Sequence, residues 1–218
     1  MKYAQSVAAM NYFVAANKLE KLYQQGLKNL HLDIVDFEYV QTFGLSFDII
    51  KDIKNRCDLD IDVHCMVAKH NVLPIAQKLH ELNLNKVSFP VSQLDKALIK
   101  ELKSISNFKL GLMIEAQDQV SDYQEFIKEA EFVVLMTIDK IGGTGQPFNP
   151  VLLQKVSEIR AIKKQIEIIS DGGLRKSNYQ EFYKSGVDVA VGGSIVNEYL
   201  DSNQNFMECW SQGFRNEK

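Results

Sequence analysis

The sequence predicts an α/β protein, a single (β/α)8 TIM barrel spanning residues 1–218, and three observations predict it. Short β-branched and leucine-rich runs alternate eight times with segments whose apolar residues recur at helical spacing. No Pro/Ser-rich linker or low-complexity tract interrupts the alternation, so nothing marks the boundary of a second domain. The polar residues His31, Asp33, His64 and Asp171 all fall at or near the C-terminal ends of strands, and in a closed barrel those ends converge on one mouth. A doubly wound open sheet is the rival, but in it strands two, three and seven would not generally meet.

The first unit reads as a strand over 3–9 and a helix over 12–25, with apolar positions Phe13, Val14, Leu19 and Leu22 and a closing Gly26. Strand two is Asn29-Leu30-His31-Leu32-Asp33-Ile34-Val35-Asp36. Side chains alternate along a strand, so His31 and Asp33 share one face while Leu30, Leu32 and Ile34 point to an apolar layer. An inward carboxylate is costly to desolvate unless it gains a cation, a proton or a hydrogen-bond network. Asp36 falls on the opposite pleat or in the turn and reads as a residue that supports the polar pair from behind or as a structural one. A loop through Thr42-Phe43-Gly44 leads to a helix over 46–56, and strand three, 60–66, repeats the polar pair as Asp62-Val63-His64. Then follow a helix over 72–82, a strand over 86–89, a helix over 93–104, a strand over 109–114 and a helix over 120–130. Strand six, 132–137, enters a glycine-rich loop before a helix over 150–163; strand seven, 167–171, precedes Gly172-Gly173 and a helix over 178–185. Strand eight, 189–192, is followed by one or two closing helices over 194–213.

The 218 residues are 45% hydrophobic and 24% charged, the balance of a soluble globular protein. A net charge of -3 and a pI near 5.8 give no electrostatic case for nucleic acid or an anionic membrane, so small neutral or anionic metabolites are the expected partners. Cys57, Cys65 and Cys209 are scattered and odd in number, which fits a reducing cytoplasm better than a disulfide framework. Gln5, Ser6, Asn11 and Asn17 break the mildly apolar start where a signal peptide needs an unbroken core, and no run approaches the ~18 apolar residues of a membrane span.

Two imidazoles and two carboxylates, His31, His64, Asp33 and Asp171, suit a divalent transition metal such as Zn²⁺, Fe²⁺, Mn²⁺ or Co²⁺. Taken singly, His31 also reads as a structural histidine, and Asp171 before Gly172-Gly173 as a turn aspartate. Glycine clusters follow three successive strands, as Gly142-Gly143-Thr144-Gly145-Gln146, Gly172-Gly173 and Gly192-Gly193-Ser194. Barrels bind phosphate with the loops after strands seven and eight, and the competing reading is tight turns that need positive φ.

These residues resemble the ribulose-phosphate 3-epimerases and their allulose-6-phosphate relatives over about 6–195. The resemblance is carried by Ser6-Val7, by His31-Leu32-Asp33-Ile34-Val35-Asp36 against the family's His-x-Asp-x-Met-Asp-Gly, and by Asp62-Val63-His64-Cys65-Met66-Val67 against Asp-x-His-Leu-Met-(Ile/Val). It continues in Met136-Thr137-Ile138-Asp139, Gly145-Gln146-Pro147-Phe148, Asp171-Gly172-Gly173 and Val191-Gly192-Gly193-Ser194-Ile195. It implies a barrel of the ribulose-phosphate-binding type, one divalent transition metal ion held by His31, Asp33, His64 and Asp171, and Asp33 and Asp171 as the acid/base pair. The implied substrate contacts are Ser6, His64, Met66 and Met136, then Gly143, Gly145 and Gln146, and finally Gly172, Gly173, Gly193 and Ser194. A homo-oligomer, dimer or hexamer, is implied as well. The chain departs from the family in Val35 and Phe37 for Met and Gly, in Ile169 for Glu, in strand four ending Ser88-Phe89-Pro90 without a His, and in a longer strand-six loop, 140–146. The four ligand positions are intact while the mouth around them has changed.

The expected function is a metal-dependent 3-epimerase of a phosphorylated ketose, most simply D-ribulose 5-phosphate to D-xylulose 5-phosphate through a cis-enediolate. The alternatives are another ketose phosphate such as D-allulose 6-phosphate, or a catalytically silent sugar-phosphate binding protein. Decarboxylase or aldolase chemistry on the same barrel resembles an Asp-x-Lys-x-x-Asp signature, and Val35 stands where the lysine would be.

Overall fold

A computed structural model describes residues 1–56, 58–202 and 204–214. Cys57 and the last four residues of the expected 1–218 span lie outside the described residues, while Cys65 and Cys209 are free thiols. The strands are β1 (Lys2–Ser6), β2 (Asn29–Val35), β3 (Asp60–Met66), β4 (Lys86–Pro90), β5 (Lys109–Ile114), β6 (Phe132–Met136), β7 (Glu167–Asp171) and β8 (Val189–Gly192). They pair in sequence order, all parallel, and β8 returns to β1 to close the barrel. The helices alternating with them are α1 (Tyr12–Gln24), α2 (Phe47–Arg56), α3 (Lys69–Glu81), α4 (Lys96–Ile105), α5 (Gln124–Glu129), α6 (Gln154–Ile162) and α7 (Tyr179–Ser185). Two short closing helices, α8 (Asn197–Asp201) and α9 (Phe206–Ser211), follow β8.

The alternation of side chains divides the apolar residues into two layers. Leu30, Leu32 and Ile34 of β2 join the layer between the barrel and its helices. Met66, Met113, Phe132, Val134, Met136 and Ile169 fill the barrel itself. Gly111 leaves room there for the Phe132 ring, which a Cβ would meet at 2.3 Å. The opposite end is shut by Lys86, whose Nζ lies 3.2 Å from Asp60 and 2.9 Å from Glu167. The interior is thus a packed core, and the open end is the one where the strands finish.

Several element boundaries differ from the sequence expectation, each for a local reason. β1 stops at Ser6 instead of running to Ala9, because Met10 N–H donates to the Val7 carbonyl (3.0 Å) and Asn11 caps α1 by accepting from Phe13 N–H (3.0 Å). α4 begins at Lys96, where Asp95 accepts from Leu98 N–H (2.8 Å), and the turn Val91–Gln93 precedes it as 3-10 helix. The helices expected over 120–130 and 150–163 begin as 3-10 turns, Val120–Tyr123 and Pro150–Leu153. Phe13 and Val14 do not face the core: Phe13 is 98% exposed and Val14 38%, whereas Ala15 and Leu22 are buried. At 100° per residue the inward stripe is Ala15, Leu19 and Leu22, spaced i, i+4 and i+7, and Phe13 lies off it.

Candidate active site

β2 and β3 run in a register that pairs His31 with Asp62 and Asp33 with His64, so four polar side chains enter the barrel side by side. Asp171, the last residue of β7, reaches the same place; its carboxylate joins the cluster in preference to the turn role that Gly172-Gly173 suggested. His31 Nε2 lies 3.1 Å from Asp33 Oδ1 and 3.6 Å from Asp171 Oδ2, and His64 Nδ1 lies 3.5 Å from each of those two oxygens. One donor atom from each of the four residues falls within 4.8 Å of the others.

Among the described residues, His31 Nε2 and His64 Nδ1 are buried without any hydrogen bond of adequate geometry. An orphaned buried nitrogen is expensive, and two of them converging with two carboxylates form the donor set of a divalent transition metal. The other faces of the rings are held in place. His31 Nδ1 lies 2.6 Å from Asp62 Oδ1, His64 Nε2 faces Met113 Sδ at 2.6 Å, and Ser6 Oγ donates to Asp33 Oδ2 (3.2 Å). A carboxylate on the far nitrogen of a metal-binding imidazole fixes its tautomer and orientation.

The electrostatics follow from this crowding. Burial favours the neutral His31 imidazole, yet the carboxylates of Asp62, Asp33 and Asp171 hold its pKa well above the ordinary value. Burial likewise pushes Asp33 and Asp171 up, but His31 and His64 pull both down into the ionised form, Asp33 the more strongly because its own charge opposes that of Asp171. The pocket therefore favours a positive charge at its centre, whether protons or a metal ion supply it.

A cavity of about 520 Å³ opens above the cluster at the C-terminal end of the barrel. Ser6, Met66 and Met136 line its depth together with Asp33 and Asp171. Gly143, Gly145 and Gln146 come from the loop after β6, Gly172 and Gly173 from the loop after β7, and Gly193 and Ser194 from the loop after β8. Gly173 adopts φ +74° with the Phe148 backbone 2.7 Å from where a Cβ would stand, so both the turn and the close approach require glycine there. His64 is fully buried and lies beneath the cavity wall instead of in it. Three features escaped the sequence reading. Asp62 orients His31, and its signal was the inward Asp-x-His spacing of β3; Met113 and the Thr42-Phe43-Gly44 wall depend on packing and loop path, which carry no such signal.

Comparison with known proteins agrees with this geometry. A sequence profile of the ribulose-phosphate 3 epimerase family matches residues 2–197. The chain is 31% identical over 189 residues to a ribulose-phosphate 3-epimerase of Encephalitozoon cuniculi, covering 87% of this chain and 84% of that one. It is 26% identical over 202 residues to the enzyme of the same name from Aquifex aeolicus, covering 88% of each. The fold is also similar to that of 3-hexulose-6-phosphate synthase from Salmonella typhimurium, with TM-score 0.70, 15% identity and 98% of both chains covered. Orotidine 5'-phosphate decarboxylase from Pyrococcus horikoshii OT3 has TM-score 0.63 at 14% identity, covering 90% of this chain and 91% of that one. At such identities the last two speak to the fold alone. Among the described residues no helix is long and apolar enough to cross a membrane. A closed barrel with a buried His/Asp cluster at its mouth, and a family profile covering nearly all of its length, make this chain a member of the ribulose-phosphate 3-epimerase family, an isomerase of sugar phosphates.

Proposed function

We propose that the protein inverts C3 of D-ribulose 5-phosphate to give D-xylulose 5-phosphate, with Asp33 and Asp171 as the acid/base pair. The observation that carries this reading is the convergence of His31 Nε2 and His64 Nδ1, both buried and without a hydrogen bond, with those two carboxylates beneath an open cavity. A divalent ion (Zn²⁺, Fe²⁺, Mn²⁺ or Co²⁺) held by His31, Asp33, His64 and Asp171 would supply the positive charge that stabilises a cis-enediolate. Inversion requires one carboxylate to take the C3 proton from one face while the other returns a proton to the opposite face. Asp33 on β2 and Asp171 on β7 stand three strand steps apart around the barrel, β2-β1-β8-β7, which suits attack from two sides. His31 and His64 hold both carboxylates ionised in the metal-free site, so the one that delivers must first take up a proton from solvent; each turnover then leaves a proton on the other carboxylate, and exchange with solvent returns it. Ser6 Oγ, donating to Asp33, orients the first of them.

The phosphate is assigned to the wall built by Gly172, Gly173, Gly193 and Ser194, where glycine lets backbone N–H groups approach an anion. Met66 and Met136 give the depth of the cavity a soft, adaptable surface. The same reading takes residues 1–218 as one domain acting as a cytoplasmic homo-oligomer, which light scattering on the purified protein tests for assembly.

The decisive experiment is turnover in deuterated water. Substrate should gain deuterium at C3 as it epimerises, and Asp33→Asn and Asp171→Asn should each abolish two-way epimerisation while leaving exchange from one face. Losses should reach ~10² to 10⁴ in rate or more, since each residue is also a ligand. Absence of C3 exchange with D-ribulose 5-phosphate, on protein loaded with each of the four metals, moves the assignment to D-allulose 6-phosphate. Absence with both leaves a silent sugar-phosphate binder.

A further inference from the structure

The loop after β2 forms one wall of the cavity, and a long-range polar contact outside the proton-transfer site holds it down. Residues 36–46 double back on their own strand: Leu45 N–H donates to the Asp33 carbonyl (2.7 Å) and Gly44 N–H to the Val35 carbonyl (3.3 Å). Asp36 pins the start of the loop, accepting from Tyr39 N–H (2.6 Å), Ala68 N–H (2.8 Å) and Asn71 Nδ2 (2.9 Å). Thr42, Phe43 and Gly44 then turn toward the cavity and line it. Phe43 is 75% exposed and, among the described residues, stacks on Phe37 alone, ring centroids 5.4 Å apart, so its side chain has little burial of its own to keep it in place.

Tyr39 reaches the other way. Its ring packs on the apolar cluster that fills the barrel, and its hydroxyl donates to Glu115 Oε1, just past the end of β5 and three strand steps from β2. Glu115 is buried, and the backbone around it is braced from α6. Lys155 Nζ donates to the carbonyls of Glu115 (2.6 Å), Ala116 (2.9 Å) and Asp118 (2.7 Å), and Asp118 Oδ2 accepts from Glu115 N–H (2.8 Å). One end of the contact is thus a rigid anchor and the other a loop tied at both its ends, by Asp36 and by Leu45, with the exposed Phe43 between them. A buried carboxylate that loses a donor is costly, which makes the pair cooperative: neither side is content with the loop lifted.

We propose that Tyr39 and Glu115 form a latch that holds the 36–46 loop across the barrel mouth and thereby sets the affinity for the sugar phosphate. They are positioning residues: neither belongs to the His/Asp cluster and neither lines the cavity. Their loss should loosen the Thr42-Phe43 wall while Asp33 and Asp171 stay on their strands, so binding suffers and proton transfer does not. The affinity part of the inference rests on the proposed ketose-phosphate substrate; the latch itself does not.

The test compares Tyr39→Phe, Glu115→Ala, their double variant and Glu115→Gln, which keeps an oxygen acceptor. In metal-loaded enzyme turning over D-ribulose 5-phosphate, each deletion should raise KM about tenfold, the worth of one hydrogen bond to a charged group, with kcat little changed. The double variant should be no worse than either single one, and Glu115→Gln should retain most of the affinity. Hydrogen exchange should quicken at the Val40, Thr42 and Gly44 amides alike in both deletions. Additive effects on KM, a fall in kcat at constant KM, or unchanged exchange in the loop would each overturn the latch. If the wild-type enzyme turns over no ketose phosphate, the functional reading fails and the exchange experiment alone decides the latch. Should Glu115→Ala not fold, Tyr39→Phe, which removes a single oxygen atom, decides in its place.

Discussion

His31 divides its ring between two tasks: Nδ1 lies against Asp62, while Nε2 faces Asp33 and Asp171 without a hydrogen bond. His31, Asp33, His64 and Asp171 were legible in the sequence because strand alternation and strand ends are local properties. Asp62 was visible as half of an inward pair, but its partner depends on the β2–β3 register, which no single strand encodes. Because Asp62 lies against His31 Nδ1, Asp62→Asn should weaken the proposed metal binding ~10 to 100-fold while leaving His31, Asp33, His64 and Asp171 in place; a metal titration showing wild-type affinity would reduce Asp62 to packing. The pH dependence follows from the same neighbours. Despite opposing burial, Asp62, Asp33 and Asp171 raise the His31 pKa well above 6.5 in metal-free protein. Such a group stabilises the fold fully below 6.5 and loses that contribution as pH rises through its folded value. Asp33 and Asp171, both lowered from 3.8 by the histidines against the effect of burial, do the reverse: their contribution holds above 3.8 and fades as pH falls. A divalent ion bound at the cluster would replace the positive charge that alkali removes, and imidazoles must be neutral to bind it. The gain in Tm on adding Zn²⁺ or Mn²⁺ should therefore be larger near about pH 8.5 than near about pH 6, and thermal unfolding at the two values checks it.

At the scale of elements, strands were easier to read than the segments joining them. A strand in a closed parallel barrel is buried on both faces, so its sequence is a short apolar run whose few polar residues stand out. Of the four apolar positions the sequence offers in α1, Leu19 and Leu22 face the core and Phe13 and Val14 do not, since all four are similarly apolar and only docking selects among them. The loop 36–46 was no more than a connection in the sequence, yet it forms a cavity wall. Its Gly44 lies so close to β2 that a Cβ would stand 2.4 Å from the Asp33 carbonyl oxygen and 2.5 Å from Val35 N. That backbone cannot yield without displacing Asp33. Gly44→Ala should accordingly cost ~1 to 3 kcal/mol of stability and lower kcat along with it; a variant with wild-type Tm and turnover would show that the loop can shift freely.

For the whole molecule, closure of the barrel turns scattered residues into a site. β8 pairs with β1, which sets the Gly193-Ser194 loop beside Ser6 and brings the loops after β6, β7 and β8 around one cavity. If phosphate binds on the side of β7 and β8 as proposed, removing it from the substrate should forfeit most of kcat/KM, because remote binding energy would then position C3 between the carboxylates. Free D-ribulose turned over as well as its 5-phosphate would contradict that placement. The sequence by itself determined the strand–helix alternation, the barrel, the four polar residues at strand ends and the glycines that follow strands six to eight, since each follows from periodicity and backbone preference within a few residues. Only the tertiary structure decided that Asp62 holds His31, that His64 sits beneath the cavity, that Phe13 faces solvent and that Tyr39 reaches Glu115. Those facts depend on register, helix docking and loop path, and each is settled by which distant surface comes to lie alongside.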